Sequence, residues 1–327
     1  MIPHSRPDLG PDELAAATRV LASGHLAQGR EVAAFEEACA AMVGRAHGVA
    51  VSSGTAAIHL ALVALGVGAD DTVALPSYAC AALLHPVLWL GAQPVLCDGG
   101  PGFNTPAEAC PAGVRVCVVP HLFGAPAGLP PAARVVEDIA QSLGGETGRG
   151  GLVAIASFYA TKMATTGEGG MLLTDDAGLA DLVRDLRDYD NRDCFRVRYA
   201  YKLTDLQAAI GRVQLARLPG FIARRREIAA AYNAAFSGTP LLCPEAPGHV
   251  YFRYVVRTPQ RAALERHLRA AGVEAKRPVY RPLHHDLGGA FPAAESAHAE
   301  ALSLPIFPAM APEDVRFVID SVRNFFD

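Results

Sequence analysis

The chain has 327 residues, 51% apolar and 19% charged, with a formal net charge of −4. That is chain enough for one large domain and a smaller one, too rich in core-forming residues for disorder, and without the basic surplus needed to neutralise a nucleic-acid backbone. Its seven cysteines form no CxxC pair and mostly lie in apolar stretches. With no signal-like start and no run of about 18 apolar residues, this predicts a reduced, soluble, cytoplasmic protein without a disulfide framework or membrane span.

In chain order, Pro11 suits a first helical position and opens a helix to about Ser23; Val32, Phe35, Cys39 and Met42 recur at helical spacing in a second. Short apolar runs then alternate with helical stretches: Val49–Val51, Val73–Leu75, Val95–Cys97, Val114–Val119, Val135–Val136, Ala154–Phe158 and Met171–Thr174. Seven such strands predict an α/β fold with a mostly parallel sheet buried on both faces, whose ligand crevice lies at the carboxyl ends of the strands. Two long helices follow, Thr204–Leu218 and Gly220–Ser237, the second carrying Arg224, Arg225 and Arg226 as an exposed face. A strand Tyr251–Arg257, a helix Pro259–Ala271 and a last helix Pro312–Phe326 make a smaller α/β portion, giving domains 1–218 and 219–327.

Three strand ends carry chemistry. Ser52-Ser53-Gly54-Thr55 follows the first strand and opens an apolar helix, Ile58–Leu65. Its free backbone N–H groups suit a phosphate, and equally an ordinary serine or threonine N-cap. Asp138 ends the run Val135-Val136-Glu137-Asp138, with Gln141 one turn on. A carboxylate there can hold the protonated pyridine of a cofactor acting as electron sink, or simply cap a turn. Lys162 follows a buried strand beside the loop Thr165-Thr166-Gly167-Glu168-Gly169-Gly170. A lysine partly removed from water loses its proton more easily and can attack an aldehyde, although most lysines are solvated.

In this order and context the segments resemble the DegT/StrS sugar aminotransferases of the fold-type-I pyridoxal 5′-phosphate (PLP) superfamily. The resemblance runs through SSGTAAIHLAL, PSYAC, PHLFG, VEDIAQSLG, SFYATK, TTGEGGMLLTDD, KLTDLQAAIGRVQL and RPLHH. It implies that Lys162 forms the Schiff base to PLP, that Asp138 faces the pyridinium nitrogen and Gln141 the ring's hydroxyl side, and that Gly54, Thr55 and Ser157 contact the phosphate. It further implies a homodimer with shared active sites, an amino donor such as glutamate, and a nucleotide-linked keto-sugar acceptor. A cyclitol or another antibiotic precursor, and a non-catalytic PLP-binding regulator, are the alternatives.

Two positions depart from the family pattern. Cys80 stands where an aromatic residue usually stacks on the ring, with Tyr78 as its aromatic neighbour. Ala200 stands where an Asn reaches the phosphate of the neighbouring subunit, which makes Lys202 and Arg198 the cations able to replace it. Of the eleven histidines, His59 and His121 read as packed or hydrogen-bonded groups, His284 and His285 sit near the expected site mouth, and no metal-ligand spacing is visible.

Overall fold

The computed structural model describes residues 1–100, 102–131 and 134–327. Helices α1 (Pro11–Ser23) and α2 (Arg30–Val43) lead into a sheet region. It comprises β1 (His47–Val51), α3 (Gly54–Ala64), β2 (Thr72–Pro76), α4 (Leu84–Trp89), β3 (Gln93–Cys97), β4 (Val116–Pro120), β5 (Val135–Asp138), β6 (Val153–Ser157), β7 (Gly170–Thr174) and α5 (Ala177–Leu186). The seven strands lie in the order β1-β7-β6-β5-β4-β2-β3. Only β7 runs against its neighbours, because the loop from Phe158 to Gly169 turns the chain straight back along β6.

Alternation along each strand feeds two cores. Val49, Val51, Val153, Ile155 and Leu172 face the core beneath α3 and α5. Ala50, Ala154, Ala156, Met171 and Leu173 face the other, beneath α2. Burial on both faces explains why the strands read as unbroken apolar runs. β4 begins at Val116 and ends at Pro120, two residues later than Val114 had suggested at its start.

The C-terminal part corrects the sequence reading more substantially. The two expected long helices are one, α6 (Asp205–Phe236), 32 residues and thus about 48 Å long. Pro219 lies inside it and removes a single hydrogen bond. The helix survives because Leu215, Leu218, Phe221 and Ile222 bury in the sheet core on both sides of the proline. Further along, Ile228, Tyr232 and Phe236 enter a third core with β8 (Tyr254–Arg257), α7 (Arg261–Ala270), β9 (Ala301–Leu304) and α10 (Pro312–Phe326). The expected boundary at 218/219 therefore falls inside a continuous helix, with the change of core between Ile222 and Ile228. Two short helices, α8 (His284–Leu287) and α9 (Pro292–Glu300), complete the chain.

The expectation that Arg224–Arg226 form an exposed face fails at Arg225, which is 3% exposed. Its guanidinium donates to the carbonyls of Tyr251, Phe252 and Ile306, and burial pushes its pKa down to about 10. Backbone carbonyls left unpaired at the entrance to β8 supply the polar partners that make this burial tolerable. The cysteines are all unpaired; Cys39, Cys97 and Cys117 are buried, whereas Cys80 and Cys194 are exposed. Among the described residues, no helix is long and apolar enough to cross a membrane.

Candidate active site

The topology gathers the three motifs on one edge of the sheet. β7 is antiparallel to both β1 and β6, so the ends of β1, β5 and β6 and the start of β7 lie together. Gly170 pairs with Val51 on one side and Ser157 on the other. This sets the Ser52–Thr55 turn beside Ser157: a Cβ on Gly54 would lie 2.9 Å from that of Ser157. A Cβ on Gly170 would overlap the Ser53 carbonyl. The final glycine of the TTGEGG segment is thus required by close packing against the turn.

Ser53 caps α3, its hydroxyl accepting from the Ala56 N–H at 3.0 Å while its carbonyl accepts from Ala57. The ordinary cap is therefore real. It leaves the first-turn N–H groups of Gly54 and Thr55 without intrahelical acceptors, beside the Ser157 hydroxyl, which is the donor set an anion needs.

Asp138 and Lys162 end adjacent strands or the turn beyond them, both half-buried at the base of the cleft. Burial pushes the Asp138 carboxyl up, against the opposing pull of the Lys162 charge, the Ala140 N–H and His121. Burial likewise pushes the Lys162 amine down, opposed by Asp138 and Cys80 and reinforced by Arg253. The two sense one another without forming a direct ion pair. Asp138 Oδ1 accepts from Ala140 at 2.9 Å, and Lys162 Nζ lies 5.3 Å from the centre of the Phe252 ring.

Glu137, one residue before Asp138, faces the opposite way and is 2% exposed. It accepts from the N–H groups of Gly148 and Gly150 at 2.8 and 2.6 Å, from Gly151, and from His121 Nε2 at 3.1 Å. His121 Nδ1 accepts from Ala127 N–H, so its proton sits on Nε2. Burial opposes ionisation of Glu137, but the His121 and glycine hydrogen bonds outweigh it and bring the pKa down to about 2. A depressed carboxyl stabilises the fold above its unfolded pKa and loses that contribution as pH falls toward the folded value, here worth on the order of 3 kcal/mol. We expect Glu137→Gln to lower the urea midpoint at neutral pH, with the gap to wild type closing as pH falls from about 4.5 toward about 2. Equal gaps at both ends of that window would refute the assignment.

Gln141 accepts from the Phe123 N–H at 2.7 Å, holding Phe123 at φ 61°. Only its NH2 end remains to donate, which suits a ligand oxygen. Cys80 is exposed and near enough to Lys162 to act on its charge. Tyr78 turns away into a separate core, stacked on Phe103 at 5.9 Å, so it cannot take the place of the missing arene. Lys202 ion-pairs with Asp188 and Asp190 at 2.8 Å, and Arg198 with Asp185 at 3.0 Å. His59 is hydrogen-bonded to Tyr201 and packed edge-on against Trp89 and Tyr199, as its place on an apolar helix suggests.

Sequence reading missed Arg253. It lies 5.0 Å over the Phe252 ring, and its Nη1 is 3.2 Å from both ring nitrogens of His4. Burial lowers its pKa, with no acidic group offsetting it, and burial together with Arg253 brings His4 down to about 3, so His4 is neutral. An arginine inside the expected strand Tyr251–Arg257 was the signal in the sequence.

The DegT/DnrJ/EryC1/StrS aminotransferase family model matches residues 7–323. The chain belongs to this family. Its members are PLP-dependent aminotransferases, and the strand-end donors, the partly buried acid and the depressed lysine fit that cofactor. The chain is 36% identical to the erythromycin biosynthesis sensory transduction protein EryC1 of Saccharopolyspora erythraea, over 94% of this chain and 93% of that protein. The aminotransferase TlmJ from Streptoalloteichus hindustanus superposes with a TM-score of 0.92 at 34% identity, covering 99% of this chain and 98% of that one. The sugar aminotransferase CalS13 from Micromonospora echinospora superposes at 0.90 with 26% identity, over 99% of this chain and all of that one (100%).

Proposed function

We propose that this family member transfers an amino group from an amino acid, glutamate first, to a nucleotide-linked keto-sugar. The observation that carries the reading is geometric: a lysine and a carboxylate, both partly buried and without a direct ion pair among the described residues, at neighbouring strand ends beside the Gly54 turn, with burial pushing the amine down and the carboxyl up. PLP, when bound, supplies the electron sink for the carbanion formed beside the substrate nitrogen. In this reading Asp138 holds the pyridine nitrogen, while Gly54, Thr55 and Ser157 hold the phosphate. Gln141 donates to the ring oxygen, and Cys80 packs its soft sulfur on the ring face. Lys162 Nζ takes the proton from the substrate carbon and returns it. The cofactor-binding part and the smaller C-terminal part, expected as 1–218 and 219–327, meet within α6, where the core changes between Ile222 and Ile228.

Incubating purified PLP-loaded protein with glutamate and a panel of nucleotide-linked keto-hexoses, and following 2-oxoglutarate, tests the reaction. Turnover only with keto-cyclitols would replace the acceptor class. A non-catalytic regulatory role is the competing reading, raised also by the name of EryC1, and the presence of Lys162 argues against it.

Arg253 has the properties of a carboxylate anchor: a cation near Lys162 with neutral His4 as its only side-chain hydrogen-bond partner among the described residues. Losing one charge-assisted contact should raise KM for glutamate about 10- to 100-fold in Arg253→Ala, with KM for the acceptor little changed. An equal rise in both would remove this role.

The reading includes a homodimer in which residues 198–202 approach the partner's cofactor. Just before this segment, Phe195 and Val197 are 98% and 64% exposed, as residues awaiting a partner surface would be. Lys202 and Arg198 would then share their charge between Asp188 or Asp185 and the phosphate. PLP should dissociate about tenfold faster from Lys202→Ala or Arg198→Ala than from wild type, and Ala200→Asn should slow it. Unchanged release from both alanine variants would leave the phosphate to the Gly54 turn and Ser157.

A further inference from the structure

Beside the turn that follows β2, two histidines and a glutamate converge. His284 Nε2 and His285 Nε2 each lie 2.8 Å from the same oxygen of Glu295, Oε1. The three ligand atoms all fall within 4.8 Å of one another. The imidazoles meet nearly at right angles, 76°, with ring centres 4.6 Å apart, so their nitrogens approach the carboxylate from two directions. Backbone geometry makes this possible: Leu283 N–H donates to the Ser77 carbonyl, seating the start of α8 on the turn after β2. Asp98 accepts from the N–H groups of Ala293 and Ala294 and fixes the first turn of α9, which carries Glu295.

We propose that His284, His285 and Glu295 form a binding site for a divalent transition-metal ion of the zinc class, with the remaining coordination position open to solvent. Neutral imidazole nitrogen and carboxylate oxygen are the ligands that borderline ions such as Zn²⁺ prefer. The burial is graded as such a site requires: His284 is buried, His285 partly exposed and Glu295 exposed, so an ion has a way in. His284 Nδ1 is hydrogen-bonded to the buried Ser77 hydroxyl. A hydroxyl can accept as well as donate, so it can stabilise the Nδ1–H form that frees Nε2 for a metal. Bonds of about 2.0–2.1 Å in a tetrahedral arrangement place ligand atoms about 3.3 Å apart. The 2.8 Å hydrogen bonds therefore need to open by only about half an ångström, through side-chain motion of exposed His285 and Glu295. His298 packs edge-on against His285, but its Nε2 accepts from Arg277 at 2.8 Å, which removes that nitrogen as a fourth ligand. The bound ion would join α8 to α9.

The test uses PLP-loaded protein stripped with a chelator and titrated with Co²⁺, whose visible spectrum reports geometry and distinguishes nitrogen and oxygen ligands from thiolate. The expected result is one equivalent bound with a tetrahedral spectrum lacking thiolate charge transfer, displaced by Zn²⁺, and accompanied by an upward shift in Tm. His285→Ala and Glu295→Gln, both at exposed positions, should each lose this binding and the Tm shift while melting like wild type in chelator. No binding by wild type at a hundred micromolar Co²⁺, a thiolate spectrum, or binding that survives in both variants would each overturn the site.

Discussion

Lys162→Ala is expected to abolish amino transfer and the yellow colour of the covalently held cofactor together. General acid–base transfer by a positioned group contributes about 10²–10⁴-fold on its own. The loss of the covalent step adds to that, so the residual rate should fall below detection in a steady-state assay. Borohydride treatment of wild type followed by peptide mapping should place the label on the peptide holding Tyr159-Ala160-Thr161-Lys162. Label on another lysine, or a coloured and active alanine variant, would remove Lys162 from the centre of the site. Because the side chain is partly exposed and makes no ion pair among the described residues, the variant should melt near wild type, which separates chemistry from folding.

Asp138→Ala should leave PLP bound but slow. Removing a preorganised charge from the point where charge develops costs about 3–4 kcal/mol, or roughly 10²–10³-fold in kcat. Asp138 also acts on the lysine, since its charge holds the Lys162 proton in place against the effect of burial. In cofactor-free protein the Asp138 variant should therefore titrate Lys162 at lower pH than wild type, a shift that a merely structural role would not produce. Near wild-type turnover would exclude Asp138 as the partner of the pyridine nitrogen. Asp138→Asn, which keeps the acceptor for Ala140 N–H, should behave like alanine in rate and like wild type in stability.

The sheet was legible because burial on both faces leaves an unmistakable record: runs such as Val153–Ser157 have no polar interruption until the strand ends. The site was legible for a related reason, since Ser52–Thr55, Asp138 and Lys162 each follow such a run directly. What local pattern could not carry was the fate of residues whose partners lie far along the chain. Proline at 219 normally ends a helix, and only packing on both sides of it, invisible in sequence, keeps α6 whole. Arg225 reads as a surface charge until the backbone carbonyls of Tyr251, Phe252 and Ile306 are placed around it. Glu137 and Asp138 are adjacent carboxylates with opposite perturbations, because alternation along β5 sends one toward the glycine loop and the other into the cleft. His284 and Glu295, eleven residues apart, converge only through the placement of α8 and α9.

The continuity of α6 has a mechanical consequence. One rod is embedded in the sheet core at one end and in the C-terminal core at the other, and Arg225, near its midpoint, is tied to the carbonyls of Tyr251 and Phe252. The two cores thus share an axle: neither can slide along it without unpacking a row of large side chains, and bending is cheapest at Pro219, where a rung of the helix ladder is already missing. Phe252 and Arg253 therefore keep a nearly fixed reach toward Lys162, like a jaw mounted on the same shaft as the anvil it faces.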